Sequence, residues 1–285
     1  MQSWHIGDVT ITKIDELQLV QPYIAENPFI TGAAPEELQR MPWLHPHFVT
    51  PEGLIKWSVH ALLVETPALC LIVDTCMGND KPHRLTNNEP LKTDFLEKLA
   101  ALGRPRESID IVVCTHLHVD HVGWNTMLAG DGWAPTFPNA RYLIGKAEYD
   151  HWQGAEGAGQ KRVMSQSIAP IFEAGLVDLV ETDHRICDEI QLIPTCGHTP
   201  GHVSVSIQSK GERALITGDM IHHPCQVTRP EWGSFADSDP EAARATRRKF
   251  VSECADAPVL IIGTHFAAPT AGRIRRDGDA FRFAI

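Results

Sequence analysis

No apolar stretch of this 285-residue chain approaches the roughly 20 residues needed to span a bilayer, so no membrane partner is expected. The first residues lack a basic region followed by an apolar run, and no secretory signal is expected. Positive charge is scarce too, because 25 Lys and Arg residues face 36 Asp and Glu residues, giving a formal net charge of −11. An acidic chain repels phosphate backbones, which argues against nucleic acid as a partner.

Pairs of cysteines with CxxC spacing are also absent, and the seven cysteines are an odd number. This pattern favours reduced thiols and a cytoplasmic protein over a disulfide framework. The sequence does contain 43% apolar residues, enough for a sizeable core, and we expect one domain over residues 1–285. The basic residues that cluster late in the chain are expected on solvated helix and loop faces: Arg244, Arg247, Arg248, Lys249, Arg273, Arg275 and Arg276.

Residues 21–56 form a long, proline-containing stretch without a clear helical or strand period. Loops of this length inside a compact domain are usually functional or disordered. Large apolar residues such as Tyr23, Phe29 and Phe48 argue against disorder. The stretch is therefore interpreted as an apolar insertion that acts as a lid or pocket wall, or as a packed surface excursion.

Four apolar runs that read as strands each end in an imidazole or a carboxylate. The runs IDIVVCT, IQLIPTCG, ALITG and VLIIGT are followed by His116, His198, Asp219 and His265. Continuous apolar runs indicate strands covered on both faces, as in layered α/β proteins. Sites in such sheets lie at the carboxyl ends of strands, so the four side chains are predicted at a sheet rim.

The stretch THLHVDHVGW, which starts at Thr115, places three histidines and one aspartate within six residues. In an extended segment, residues two apart point the same way, so His116, His118 and Asp120 share a side. If the chain turns into a helix near Asp120, His121 reaches the same cavity. Neither helix nor turn propensity explains so many histidines, which points to ligands.

Together these side chains can hold two cations. The predicted metal ligands are His116, His118 and His198 for one cation, Asp120, His121 and His265 for the other, and Asp219 as the bridge. A carboxylate can span two metals about 3.5–4 Å apart. Nitrogen and oxygen ligands with an open position suit zinc, with manganese, iron or cobalt as alternatives.

The order HxHxDH, HTPGH, GD and TH resembles the signature of the metallo-β-lactamase-fold hydrolases. VDT at 73–75 resembles the early strand-end aspartate motif of that superfamily. The resemblance covers nearly the whole chain and implies an α/β fold, a four-layer αββα sandwich, with a dinuclear centre held by the seven residues above. The complete ligand set, including Asp219 and a late histidine, is similar to that of N-acyl homoserine lactonases and methyl parathion hydrolase.

The resemblance implies a hydrolase in which a hydroxide that bridges two cations attacks a carbonyl carbon, with Asp120 as the catalytic residue that orients it. The expected substrate is a lactone or a small carboxylic ester. Organophosphate triester hydrolysis and glyoxalase II-type thioester hydrolysis remain alternatives, and a metal-binding scaffold without turnover is the non-enzymatic one. A homodimer is also expected, from the resemblance and from the apolar insertion.

Other residues near the motifs are given supporting roles. Asp74 is expected to orient a ligand histidine, and His202 to make structural hydrogen bonds. His222 and His223 follow the GDM sequence. For both residues, contact with substrate and packing remain alternatives. Cys196 and Cys225 are expected to be free thiols, and Trp124 and Trp232 to line the pocket or to pack.

Overall fold

The computed structural model describes residues 2–83, 86 and 88–285. By its internal contacts the chain divides into two compact units. The first unit runs up to Glu16 and resumes over Val59–Glu181, and the second combines Leu17–Ser58 with Thr182–Ile285. The 21–56 stretch therefore belongs to the same unit as the C-terminal part of the chain.

The first sheet is built mostly from the N-terminal half of the chain. The strands of this half are β1 (Ser3–Ile6), β2 (Val9–Val20), β3 (Lys56–Glu65), β4 (Cys70–Val73), β5 (Ile111–Cys114), β6 (Thr126–Ala129), β7 (Gly132–Pro135), β8 (Arg141–Gly145) and β9 (Val177–Val180). Among the described residues, seven of them form a sheet in the order β1-β2-β3-β4-β5-β8-β9. Strands β6 and β7 pair separately as a hairpin.

The parallel part of this sheet runs from β4 through β5 and β8 to β9. Strands β4 and β5 are short runs of Ile, Val, Leu and Cys that are almost completely buried, as expected for strands covered on both faces. Strand β5 ends at Cys114 and leads directly into His116. The prediction that an apolar strand delivers His116 is confirmed.

The second sheet lies entirely in the second unit. Its strands are β10 (Ile190–Pro194), β11 (Val203–Ser209), β12 (Glu212–Ile216), β13 (Val259–Ile262), β14 (Ala271–Asp277) and β15 (Ala280–Ala284). In the part of the chain that the structure describes, these six pair in sequence order. Strands β12 and β13 are parallel and the other neighbours antiparallel, so the carboxyl ends of β12 and β13 fall on the same edge.

The hairpin of β14 and β15 was not predicted from the sequence. Arg273, Arg275 and Arg276 are exposed, as expected, but they lie on strand β14 rather than on a helix or loop. Only one face of the hairpin is apolar, with Ile274 and Phe283 buried as a cross-strand pair. A strand with so many charges gives little of the periodic apolar signal on which strand prediction depends.

The helices are short apart from the last. They are α1 (Pro35–Gln39), α2 (Phe95–Ala101), α3 (Val119–Val122), α4 (Lys146–Trp152), α5 (Ala158–Val163), α6 (Ala169–Glu173), α7 (Cys225–Thr228) and α8 (Pro240–Cys254). Helix α8 starts at Pro240, where Asp239 Oδ1 accepts hydrogen bonds from the backbone N–H groups of Glu241 and Ala242. Across the described residues, no helix combines the length and apolarity that a bilayer crossing requires.

One residue of α8 contradicts the sequence interpretation. Arg247 was expected on a solvated face, but it is completely buried, whereas Arg244 and Arg248 are exposed. Its guanidinium donates to the backbone carbonyls of Met220 and Pro230, at 2.8 and 3.1 Å. The long arginine side chain is tolerated inside because its donors have partners.

The 21–56 stretch is packed rather than loose. It contains α1 and a 3₁₀ turn at Pro42–Leu44, and Ile30, Leu44 and Phe48 are at most 1% exposed. Near its start, however, Ile24 remains 52% exposed. Apolar burial explains how a stretch with little regular secondary structure keeps a defined conformation.

Candidate metal centre

The first histidine cluster, defined as His116, His118, Asp120 and His121, lies in the turn after β5. Helix α3 starts at Val119, so the predicted turn into a helix near Asp120 is confirmed. His116 Nε2 lies 3.0 Å from His118 Nδ1, and the ring centroids of His116 and His121 are 4.1 Å apart. Asp120 Oδ1 is 3.8 Å from His121 Nε2. The first unit thus brings all four side chains together.

Asp74 anchors this cluster from the end of β4. Its carboxylate accepts hydrogen bonds from the backbone N–H and the hydroxyl of Thr115, both at 2.8 Å, and lies 2.9 Å from His121 Nδ1. The Thr115 hydroxyl is also 3.1 Å from His116 Nδ1. The orienting role predicted for Asp74 is confirmed, and in both imidazoles Nδ1 is held while Nε2 faces the cluster.

Glu148, a residue that sequence reasoning did not identify, fixes the same turn. Its carboxylate accepts hydrogen bonds from the backbone N–H of Leu117, at 3.0 Å, and from the Trp152 indole N–H, at 2.6 Å. The Trp152 ring in turn packs edge-on against His118, with centroids 5.4 Å apart. Glu148 is 1% exposed. No local motif marks it, because its partners are defined only by the fold.

The second histidine cluster, defined as His198, Asp219, His222 and His265, lies wholly in the second unit. Asp219 follows β12 and His265 follows β13, so the parallel pairing of these strands brings the two residues to one sheet edge. Three imidazole Nε2 atoms surround Asp219 Oδ2, at 3.2 Å for His265, 3.3 Å for His222 and 3.6 Å for His198. All four side chains are buried.

Two of these imidazoles are also held through Nδ1. His198 Nδ1 lies 3.0 Å from Asp237 Oδ1, and His265 Nδ1 lies 2.9 Å from the Ser58 carbonyl oxygen. Burial alone would raise the pKa of Asp237, but hydrogen bonds from His198 and Ser234 and the nearby charge of Arg247 outweigh it and lower the pKa to about 2. Asp237 therefore stays ionised and fixes the His198 tautomer. Sequence reasoning did not find Asp237.

His202 has the structural role that the sequence predicts. Its Nε2 accepts a hydrogen bond from the Asp219 backbone N–H at 2.8 Å, so the ring proton resides on Nδ1, which lies 2.9 Å from the Thr195 hydroxyl. Gly218 has φ +55°, and a Cβ at this position would lie 2.5 Å from His202 Nε2. Only glycine allows the chain to pass His202 so closely and still present Asp219.

The two adjacent histidines that the sequence left undecided have different roles. His223 packs: Nε2 lies 2.8 Å from the Phe48 carbonyl oxygen, and Nδ1 accepts from the Cys225 N–H. His222 belongs to the second cluster, where burial lowers its pKa and favours the neutral imidazole. Its position three residues after Asp219 was the only available sequence signal.

Cysteine and tryptophan contribute packing rather than ligands. All seven cysteines in the described part of the chain are free thiols, and burial raises the pKa of Cys114 to about 12 and that of Cys225 further. A protonated thiol is a poor metal ligand. Trp124 stacks on Phe95 with centroids 5.5 Å apart and donates its N–H to Glu16 at 2.7 Å, so it packs.

The donor set of each cluster fits a divalent cation. His116, His121, His198 and His265 each have Nδ1 next to a protein oxygen, which leaves the Nε2 lone pair for a metal. Carboxylates accompany the imidazoles in both clusters, with Asp219 buried and Asp120 partly exposed. Imidazole and carboxylate ligands suit zinc and its first-row neighbours.

A mixed α/β chain whose strand ends carry two histidine–carboxylate clusters has the architecture of a metal-dependent hydrolase. The sequence profile of the Metallo-beta-lactamase superfamily matches residues 54–265, and the chain belongs to this superfamily. It has the metallo-β-lactamase fold and is a metal-dependent hydrolase, so the fold class and the enzyme class predicted from the sequence are confirmed.

Among its relatives, an N-acyl homoserine lactonase of a Bacillus species is 29% identical over 191 residues, which are 61% of this chain and 68% of that protein. Among solved structures, hydrolase AbOPH of the beta lactamase superfamily has a TM-score of 0.80 at 25% identity, covering 99% of this chain and 96% of that one. AidC, a dizinc quorum-quenching lactonase in complex with a product, has a TM-score of 0.79 at 22% identity with the same coverage, which shows a shared fold.

Proposed function

We propose that this chain is a dinuclear hydrolase that opens lactones, with small carboxylic esters as secondary substrates. The observation that carries the proposal is the set of four buried imidazoles anchored through Nδ1, in two clusters that also contain carboxylates. Two clusters of this kind supply more donors than one cation uses. The lactonase activity named for the Bacillus relative supports the substrate class.

The proposed ligands divide between two cations, most simply zinc. His116, His118 and His198 hold one cation, Asp120, His121 and His265 hold the other, and Asp219 bridges them. Membership of the superfamily and the anchoring of Nδ1 support this division. When bound, the cations supply a hydroxide nucleophile at neutral pH and polarise the substrate carbonyl.

Asp120 is the proposed catalytic residue. Its side chain is 15% exposed, in contrast to the 1% of His121, so a substrate can reach it. Its carboxylate orients the nucleophile, takes up the nucleophile's proton and returns it to the alkoxide that leaves when the ring opens. Asp74 and Asp237 do not touch substrate in this scheme, and they position the imidazoles of His121 and His198.

Residues 21–56 supply the proposed pocket for the apolar part of the substrate. A shallow, open cleft with only about 10 Å³ of enclosed space is lined mainly by apolar side chains of this stretch, including Tyr23, Phe29, Ile30, Leu38 and Leu54. The Phe29 ring forms one wall and also packs edge-on against His222, with centroids 5.8 Å apart. The cleft therefore adjoins the second cluster, which suits a lactone that carries an acyl chain.

The test is a substrate panel measured on protein that has been stripped of metal and reloaded with Zn²⁺, Mn²⁺ or Co²⁺. We expect the highest kcat/KM on lactones and no turnover after stripping. Asp120→Asn is expected to lose turnover while it retains at least the cation held by His116, His118 and His198. Along a series of acyl chains, each methylene buried in the cleft is expected to raise kcat/KM roughly fourfold, since it contributes about 0.8 kcal/mol. A large preference for phosphotriesters would contradict the proposal, and metal without turnover on the panel would indicate a scaffold.

A further inference from the structure

His222 lies among metal-type ligands but has no place in the seven-ligand set. Its Nε2 is 3.3 Å from Asp219 Oδ2, and its ring centroid is 4.8 Å from that of His198. One ligand atom from each of His198, Asp219 and His222 can be chosen so that the three lie within 4.8 Å of one another. Atoms at such separations can share one cation, because zinc-to-ligand distances are about 2.0–2.2 Å.

The His222 ring is held in place by packing on several sides, in addition to the contact between its Nε2 and Asp219 Oδ2. Its backbone N–H donates to Gln226 Oε1 at 2.7 Å, which fixes the turn after Asp219. The ring contacts Phe29 edge-on and stacks on His265 at 5.9 Å. Nδ1 is buried, and the described residues offer it no hydrogen-bond partner. The buried ring thus directs Nε2 at the Asp219 carboxylate, and this geometry allows His222 to bind a cation through Nε2.

We propose that His198, Asp219 and His222 form a cation site of their own in the second unit, which takes one divalent metal without ligands from the first histidine cluster. Two imidazole nitrogens and one carboxylate, with a fourth position open to water, are a ligand set that zinc commonly accepts. His198 and Asp219 are shared with the proposed dinuclear centre, so this site is an alternative occupancy. The site implies that the second unit can bind the first metal ion before the dinuclear centre forms. His222 is then the ligand that this metal ion gives up when the centre forms.

The site stands on the geometry of the second unit alone, so its test does not need turnover. In the full chain, His116→Ala, His118→Ala and His121→Ala are combined to remove the imidazoles of the first cluster. We expect this triple variant to retain about one Co²⁺ or Zn²⁺ per chain after dialysis, measured by elemental analysis. Adding His222→Gln is expected to weaken Co²⁺ binding at least about tenfold, because even the loss of a residue behind a ligand costs 10–100-fold.

His223→Gln in the same background is the matched control, since it removes the adjacent buried imidazole, which lies outside the cluster, and should leave Co²⁺ binding unchanged. A triple variant without bound metal but with a native circular dichroism spectrum, or His222→Gln without effect, would overturn the site. If the triple variant does not fold, wild type and the single variant His222→Gln are compared instead. The visible absorption spectrum of each is measured after one equivalent of Co²⁺ is added to the metal-free protein. The two spectra should differ, and superimposable spectra would refute the proposal. Wild-type turnover on lactones is a separate result that none of these outcomes affects.

Discussion

The two histidine clusters reach similar chemistry by different routes. The first is local, because its four residues lie within six positions of one turn, and strand β5 with helix α3 sets their directions. The second is assembled from three segments, at His198, Asp219 to His222, and His265. Local geometry depends on a few backbone angles, whereas assembled geometry depends on long-range packing. The second cluster should therefore be the more sensitive to substitutions outside the site.

The anions behind the imidazoles differ in the charge of their partners. Asp74 accepts hydrogen bonds from neutral groups, the backbone N–H and the hydroxyl of Thr115. Asp237 instead depends on Arg247, whose guanidinium lies 3.5 Å away with both side chains fully buried. Arg247 also donates to the carbonyl of Met220, next to Asp219. One buried arginine thus ties helix α8 to two parts of the second cluster.

Removing one ligand from each cluster should give the largest effects and the sharpest contrast. Asp219→Ala removes the proposed bridge and is expected to release both cations and lower kcat/KM by at least about 10³-fold, since metal catalysis supplies several kcal/mol and each 1.36 kcal/mol is a factor of ten. His118→Ala is expected to release one cation and leave the other bound. Elemental analysis and lactone kinetics measure both.

Asp239→Ala is the control for these variants, because it removes an aspartate that caps α8 and touches neither cluster. It should cost about 1 kcal/mol of stability and no metal. Two cations retained in Asp219→Ala would show that this carboxylate does not bridge.

The next largest effect is on stability, and it concerns only the second histidine cluster. Arg247→Met keeps the length of the side chain but leaves the Asp237 carboxylate buried without its guanidinium. Removing one partner of a buried ion pair typically costs about 3–5 kcal/mol, so the free energy of unfolding should fall by that amount. Urea denaturation of metal-free protein measures it. Arg244→Met, on the exposed face of α8, is the matched control and should change stability by less than about 0.5 kcal/mol.

This contrast also explains what the sequence could and could not predict. The strand ends that deliver His116, Asp219 and His265 were predictable because each apolar run and its ligand are adjacent in the chain. Arg247 was placed wrongly because charged helix residues are normally exposed, and its partners are set only by tertiary contacts. The same limit hid Asp237 and Glu148, which no motif marks and whose hydrogen bonds to His198 and to the Leu117 N–H depend on the fold.

A pair of conservative substitutions compares the two anchors directly. Asp74→Asn and Asp237→Asn keep the size of the side chain but remove the negative charge beside His121 Nδ1 and His198 Nδ1. Each is expected to weaken binding of one cation by about 10–100-fold, because the anion raises the basicity of the ligand imidazole. Competition titrations with a zinc chelator measure the two affinities. Unchanged affinities in both variants would contradict the anchoring role.

The last comparison tests whether a buried cation of the first unit is as well paired as Arg247. Lys81 is 4% exposed, donates to the Thr126 carbonyl oxygen at 2.8 Å, and lies 3.8 Å from the Trp133 ring centroid. Burial lowers its pKa from 10.5 to about 7, although Asp80 and Glu16 act in the opposite direction. Arg247, by contrast, has an ionised carboxylate in contact.

Because the folded-state pKa of Lys81 is below its unfolded value, the unfolded chain binds the extra proton between about pH 7 and pH 10.5. Over this window the lysine makes stability rise with pH, by up to about 1.4 kcal/mol per pH unit for one proton. Lys81→Met should remove this slope, so the variant gains stability relative to wild type most at pH 7 and progressively less towards pH 9. Urea denaturation at several pH values measures the difference in the free energy of unfolding between the two proteins. The titration of all other groups contributes equally to both proteins and cancels. Parallel curves for the two proteins would mean that Lys81 keeps its charge inside the fold, and the first unit would then hold its buried cation as firmly as the second.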